Sequence, residues 1–335
     1  MSDKSDKVED DGAEQSGGQL YRRRPKLRDR WSSLRRNPRF GVFAGIFAAN
    51  ALGATLLWIL IALGAGTGTI LGSIFVLIPL LMGIVGNYFW QGAKLSRAAN
   101  LLYSLINTVI ALTLAYLLFD EGIMCLLMGS PLILLFVWLG TVIGKKLFSL
   151  EKNRLNVAVA PLFLVLFVGD SLSPHNFQSQ VTDRIVIHAS PQRVWQYIID
   201  YPAITTPSNY WLCHLGLPAP IQSTATGHHV GDTRRCIFTN QVAFNERLTV
   251  VEPGRQLTFV VTSQPNDPEA LNHLTLERGQ FLLQDNGDGT TTLIGTSWYR
   301  LNVYPAHYYD LWVQDIVRHV HSRVMGQVKR LAERE

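Results

Sequence analysis

The sequence predicts an α-helical transmembrane bundle of about five helices followed by an α+β domain, a curved antiparallel sheet around a long C-terminal helix. Three observations carry this reading. Residues 40–169 are mostly Leu, Ile, Val, Phe, Ala and Gly, whereas the chain from Phe177 onward has ordinary soluble composition. Short alternating runs separated by Gly, Pro and Asn turns fill most of that second part. One long stretch at the end repeats its apolar residues at helical spacing. The overall hydrophobic fraction of 47% is unremarkable only because it averages two unlike halves.

The net charge of +5 is just as uneven. Arg22, Arg23, Arg24, Lys26, Arg28, Arg30, Arg35, Arg36 and Arg39 are opposed locally only by Asp29. Residues 1–39 therefore read as a disordered tail, first acidic and then basic, the basic part holding the N-terminus cytoplasmic. A nucleic-acid partner is not expected. No cleavable signal peptide is expected either, because the first apolar run begins at Phe40 and is too long for one.

The membrane region is expected at 40–172, with spans at 40–63, 69–90, 101–119, 123–143 and 155–172. The first four are uncharged and long enough for a hydrocarbon core. Pro79 is tolerable in the second, since neighbouring helices satisfy the freed backbone groups. Only Asp120, Glu121 and Gly122 part the third and fourth spans, which makes them an antiparallel hairpin. The fifth is shorter and carries Pro161. Loop charge bears on it: Lys94, Arg97, Lys145, Lys146, Lys152 and Arg154 all fall inside if five segments cross, and the C-terminal domain then faces the periplasm or exterior. With four crossings that domain would return to the cytoplasm. The expected location is the inner (plasma) membrane, multi-pass. Within the spans Asn50, Asn87 and Asn107 are the main polar side chains, and no ionisable group sits near a span centre, which disfavours a pump or channel.

Residues 173–181 read as a linker and 182–335 as the soluble domain. Strand runs are expected at 182–188, 232–239, 242–251, 256–263, 279–284 and 290–301. Ser190 and Pro191 begin a helix reaching about Asp200, and Pro202 and Pro207 bracket a second helical piece. The closing helix, 306–332, carries Trp312, Val313, Ile316, Val317, Val320, Val324, Val328 and Leu331 as its apolar stripe. Cys213 and Cys236 could pair in an oxidising compartment or stand as free thiols.

Three stretches carry a family likeness: IVIHASPQRVWQYIIDY at Ile185–Tyr201, LTVVEPGRQLTFVV at Leu248–Val261 and GQFLLQDNGDGTTTLIGTSWY at Gly279–Tyr299. In these the sequence resembles the START-like, or helix-grip, superfamily (SRPBCC), in its polyketide cyclase/dehydrase and lipid-transport type. The resemblance covers Thr182–Glu335 and none of the membrane part. It implies an apolar cavity between sheet and long helix, suited to a lipid or other hydrophobic small molecule. Trp195, Tyr210, Trp211, Phe238, Phe244, Phe259, Phe281, Trp298 and Trp312 are the aromatic candidates to line it. Glu246 interrupts an otherwise apolar strand face of Val242, Phe244, Leu248 and Val250. With Arg300 and His319 it is a candidate to orient a ligand headgroup or to supply acid–base chemistry.

No metal site is expected: Asp285–Gly289 lacks the Glu of a calcium loop, and His228, His229, His319 and His321 have no third ligand at convincing spacing. No cofactor motif is present. The leading expectation is a membrane-tethered domain that binds a hydrophobic small molecule at the outer face of a bacterial inner membrane. A cyclase/dehydrase-type enzyme and a membrane-bound sensor or assembly factor are the alternatives; the enzyme reading rests on superfamily precedent alone. Any protein partner is unknown.

Overall fold

The computed structural model describes residues 38–62, 72–93, 95–119, 122–150, 165, 168–170, 176–265 and 273–334. The expected tail lies outside these residues, as does most of the fifth apolar segment. Four helices are long and apolar enough to cross a membrane. They are α1 (Pro38–Ala62), α2 (Gly72–Phe75 and Leu77–Trp90, with a one-residue break at Val76), α3 (Arg97–Phe119) and α4 (Ile123–Leu150). The break lies one turn before Pro79, whose ring nitrogen cannot donate to the Phe75 carbonyl.

Small residues set the packing. Gly41, Gly45, Ala49 and Gly53 recur every fourth position along α1, and the three glycines lie against Phe89, Gly86 with Trp90, and Met82 of α2. On its other side α2 meets α4 through Gly83 and Gly140, each pressed to the backbone of the partner helix. Lipid tails are as apolar as leucine, so close van der Waals approach drives such contacts in place of a hydrophobic effect. Polar side chains add cross-links. Asn50 donates to Asn107 at 2.6 Å between α1 and α3, and Asn100 donates to Thr141 at 2.8 Å between α3 and α4. Asn50 and Asn107 are two of the three span asparagines the sequence singles out, and such bonds serve helix association at roughly 0.6 kcal/mol each.

The C-terminal domain is a seven-stranded antiparallel sheet in the order β1-β7-β6-β5-β4-β3-β2, with a long helix laid along its curled face. The strands are β1 (Phe177–Ile187), β2 (Pro220–Ala225), β3 (Thr233–Phe238), β4 (Ala243–Glu252), β5 (Gln256–Ser263), β6 (Leu274–Asp285) and β7 (Thr291–Leu301). Helix α5 (Pro191–Trp195) follows β1, and α6 (Ala306–Ala332) closes the chain. Gly254 and the pair Gly287 and Gly289 hold positive φ in the β4–β5 and β6–β7 turns, which explains glycine at those points.

Several expectations shift in detail. The helix begun at Pro191 ends at Trp195 rather than near Asp200, and the segment bracketed by Pro202 and Pro207 is not helical; a 3-10 turn at Trp211–Leu215 follows instead. Edge strand β2 was not expected, since PIQSTA is short, polar and opened by proline. A bulge between Leu248 and Val250 breaks the alternation of β4, so that Val251 packs on the core where Val250 was expected.

Two apolar clusters lie under α6. One gathers Ile187, Ile198, Ile199, Leu257, Leu283, Leu293, Met325 and Val328 beneath its C-terminal half. The other gathers Val181, Tyr299, Leu301, Val303, Tyr309, Val313 and Val317 beneath its N-terminal half, and Phe75 and Met128 of the bundle pack against it. Sheet domain and bundle are thus joined. Met124 is buried with Tyr210, Leu212 and Leu217. The Tyr308 hydroxyl donates to the Met128 carbonyl at 2.6 Å, and the Phe75 and Tyr309 rings lie 5.2 Å apart. The carboxylate of Asp170 accepts from the Ser73 amide at 2.7 Å.

All these contacts fall on one end of the bundle, where α2 and α4 begin. Arg39, Arg97, Lys145 and Lys146 are exposed at the other. Leu150 closes α4 at that basic end, whereas Asp170 is bound to the domain-bearing one.

Candidate functional site: a cavity under the long helix

Between the two clusters the packing opens. Phe238, Phe244, Phe259, Phe281, Val320 and Val324 form the apolar wall of a cavity, and Arg234, Cys236, Glu246, Ser297 and His321 are among its polar lining. Glycine helps make the space: at Gly279 a Cβ would strike the Phe259 ring. The free volume is about 70 Å³, against roughly 300–1,000 Å³ for sites that take drug-sized ligands. A whole lipid does not enter the cavity in this state. The space suits a short apolar group.

One end is ionic. Arg234 and Glu246 face each other across β3 and β4 and form a salt bridge, with side chains only 2% and 4% exposed. The guanidinium also donates from Nε to the Ile199 carbonyl at 2.6 Å and stacks 4.8 Å from the centre of the Phe259 ring. Burial lifts the Glu246 carboxyl above the usual range, opposed by the attraction of Arg234. Burial works against the Arg234 charge as well, but Glu246 holds the guanidinium protonated. Beside them burial, reinforced by Glu246, pushes the Cys236 thiol up to about 12, so it is no nucleophile at neutral pH.

The other end is a hydrogen-bonded chain under α6. Ser297 Oγ lies 2.8 Å from His321 Nε2, and His321 Nδ1 lies 2.7 Å from Asp183 Oδ2. His321 occupies the apolar stripe of α6, between Val317 and Val324. Burial lowers its pKa, opposed by Asp183, and burial also lowers that of His273. These histidines therefore bind protons less readily in the folded chain than unfolded, where the pKa is about 6.5. Stability is full above that value and falls as the pH drops through it toward the lower folded pKa. The raised carboxyl of Glu246 acts oppositely, its contribution being lost as pH rises from about 4.3 toward its higher folded value. The thermal midpoint of the full chain in detergent is thus expected to fall between pH 7.5 and 5.5, and His321→Gln to flatten that slope.

The aromatic candidates divide. Phe238, Phe244, Phe259 and Phe281 line the cavity. Trp195 packs against the C-terminal core, Tyr210 is buried against the bundle, and Trp211 is 48% exposed beside it. Trp298 lies under Arg278, 3.9 Å from the guanidinium to its ring centre, and is not among the lining residues; nor is Trp312 on α6. The three polar candidates are separated. Glu246 lines the cavity, His319 stacks on the Tyr210 ring at 3.8 Å, and Arg300 pairs with Glu277 at 3.6 Å. Cys213 and Cys236 are free cysteines, not joined by a disulfide. No group of three His, Cys, Asp or Glu able to hold a metal is found among the described residues.

Sequence reasoning missed Arg234, Asp183, Ser297 and the role of His321. Alternation in Thr233–Phe238 puts Arg234 on the face of Cys236 and Phe238, which was a usable signal for a buried partner of Glu246. His321 at a stripe position was another.

No family model matches the chain, and no curated protein does. Among solved structures, the chain is similar to a protein from Nitrosospira multiformis over 45% of its own length and 94% of that protein's, at 14% identity and a TM-score of 0.31. It is similar to XoxI from Bacillus cereus over 45% and 94%, at 17% identity and a TM-score of 0.32. It is also similar to norcoclaurine synthase from Thalictrum flavum, solved with dopamine and hydroxybenzaldehyde, over 48% and 87%, at 11% identity and a TM-score of 0.32. Likenesses this remote carry no weight for function. The chain's own strand order and closing helix define a helix-grip domain, joined to four helices long and apolar enough to cross a membrane.

Proposed function

We propose that this chain is a membrane-tethered helix-grip domain that binds a small hydrophobic molecule, held at the outward face of a bacterial inner membrane. The observation that carries the reading is the cavity itself: four phenylalanines converge on a space with fixed polar groups at its ends. Apolar walls with a few placed polar groups are what small-molecule sites have in common. Tethering adds a physical advantage, because hydrophobic molecules concentrate in the bilayer beside the domain. A lipid is accommodated only if α6 parts from the sheet around Val320 and Val324; a short-chain molecule needs no such movement.

Two features support the outward orientation. The domain is joined to the bundle end whose loops lack Lys and Arg, and basic loops favour the cytoplasm. Leu150 and Asp170 lie at opposite ends of the bundle, which also supports that orientation. Trp211, exposed next to the bundle, then sits at the depth where tryptophan favours the membrane–water interface.

A short-chain alkyl diazirine, irradiated with the full chain in nanodiscs, tests the cavity. Crosslinks are expected on Phe244, Phe281 or Val324 and are lost when Val324→Trp fills the space. Crosslinks confined to the bundle would overturn the reading. A reporter active only outside the cytoplasm, fused after Ser173, is expected to be active; an inactive one alongside an active cytoplasmic reporter at the same site would reverse the orientation.

A further inference from the structure

We propose that Asp183, His321 and Ser297 form an acyl-transfer relay on the cavity wall, with Ser297 the nucleophile toward the ester of a short-chain acid. The inference rests on the cavity being a ligand site and names the ligand class. Three elements bring the groups together. Asp183 on β1 and Ser297 on β7 are near-neighbours on adjacent strands, where Val181 pairs with Ser297 and Asp183 pairs with Gly295. His321 descends on them from α6.

The hydrogen bonds fix the tautomer. A carboxylate has only acceptors, so the Asp183 oxygen 2.7 Å away requires the proton on His321 Nδ1. Nε2 then carries the lone pair and accepts from the Ser297 hydroxyl at 2.8 Å. Nucleophile bonded to base and base oriented by a third group is the arrangement that activates a serine. His321 is buried, with 7% of its side chain exposed, so the ring is fixed before any substrate arrives. Both Ser297 and His321 line the cavity, whose 70 Å³ is on the scale of a short acyl group rather than a lipid tail.

In the acylation step, Ser297 Oγ bonds to the ester carbonyl carbon while its proton passes to His321 Nε2. The ester C–O bond to the alcohol then breaks, and the departing oxygen takes that proton from His321. In the second step a water loses its proton to His321 and attacks the acyl carbon. The bond to Ser297 Oγ breaks, Oγ recovers the proton, and the carboxylic acid leaves. Oxidation states do not change, and water is the co-reactant.

The test uses the full chain in detergent, with p-nitrophenyl acetate as substrate and a small alkyl fluorophosphonate as covalent probe, and peptide mapping to locate the label. The expected results are a burst of p-nitrophenol and a phosphonyl group on Ser297. Ser297→Ala abolishes both. His321→Gln lowers the labelling rate by about 100-fold or more, the scale of a lost general base. Ser297→Cys keeps the side chain's size and retains the p-nitrophenol burst, the acetyl group being mapped to the thiol, which guards against a variant that merely misfolds. Absence of label on Ser297 in the wild-type chain, or labelling indifferent to His321→Gln, overturns the relay and leaves the triad a structural clamp of α6 on the sheet. The diazirine crosslink separates the two levels: cavity crosslinks without serine labelling sink the relay alone, and loss of both sinks the cavity reading too.

Discussion

Glu246→Ala is expected to cost about 3–5 kcal/mol of folding stability, because it leaves the Arg234 guanidinium buried and without its counter-ion. Arg234→Ala is expected to cost a similar amount by stranding the carboxylate, and it also removes the bond to the Ile199 carbonyl and the contact with Phe259. The double replacement Arg234→Met with Glu246→Leu gives the decisive contrast. Filling the site with apolar groups of similar volume is neutral or stabilising by roughly 1–4 kcal/mol in comparable buried pairs. The pair would then be retained for what it does in the cavity rather than for stability. Chemical denaturation of the full chain in detergent reads all three variants. Single-variant losses below about 1 kcal/mol, the range of exposed pairs, would mean that the two groups are solvated.

Gly83→Leu is expected to disrupt the bundle. Its Cβ would fall within van der Waals overlap of the Val137 carbonyl and 2.8 Å from the Thr141 amide nitrogen, both backbone atoms of α4. A backbone cannot rotate out of the way as a side chain can, so helices α2 and α4 must separate. The expected loss is about 3 kcal/mol or more, at the upper end of overpacking costs. It should appear as aggregation in size-exclusion chromatography or as a lowered thermal midpoint. Gly326→Ala in α6 is the matched control. Nothing stands within 4 Å of its Cβ position, so alanine there stabilises by about 0.5–1 kcal/mol through helix propensity. Equal behaviour of the two variants would mean that α2 and α4 are not in contact at Gly83.

Much of the architecture was legible because it rests on periodicity. Four spans, six of seven strands and the closing helix follow from runs of apolar residues at spacing 2 or 3.6, with glycine turns between them. β2 was not, because an edge strand needs no apolar face and PIQSTA has none. The small-residue stripe of α1 marks a close helix contact only once its partner is known: the same glycines would serve any neighbour.

At the site, Glu246 was found because a charge on an apolar face is a local anomaly. Its partner Arg234 was overlooked among adjacent arginines, although alternation with Cys236 and Phe238 separates a buried Arg234 from an exposed Arg235. Arg300 and His319 failed as partners for a related reason. Arg300 belongs to the other face of β7 from Ser297, and His319 is turned about the α6 axis from His321 toward Tyr210. The Asp183–His321–Ser297 chain joins three elements through bonds that span 138 and 24 residues, and no spacing motif announces such an arrangement.

Native mass spectrometry of the full chain released from nanodiscs tests the central claim most directly. The wild-type protein is expected to carry a small hydrophobic molecule in near-unit stoichiometry when offered short-chain alkyl compounds, and Val324→Trp, with the cavity filled, is expected to carry none. Equal adducts on both, or none on the wild type across that series, would contradict a ligand-binding cavity under α6.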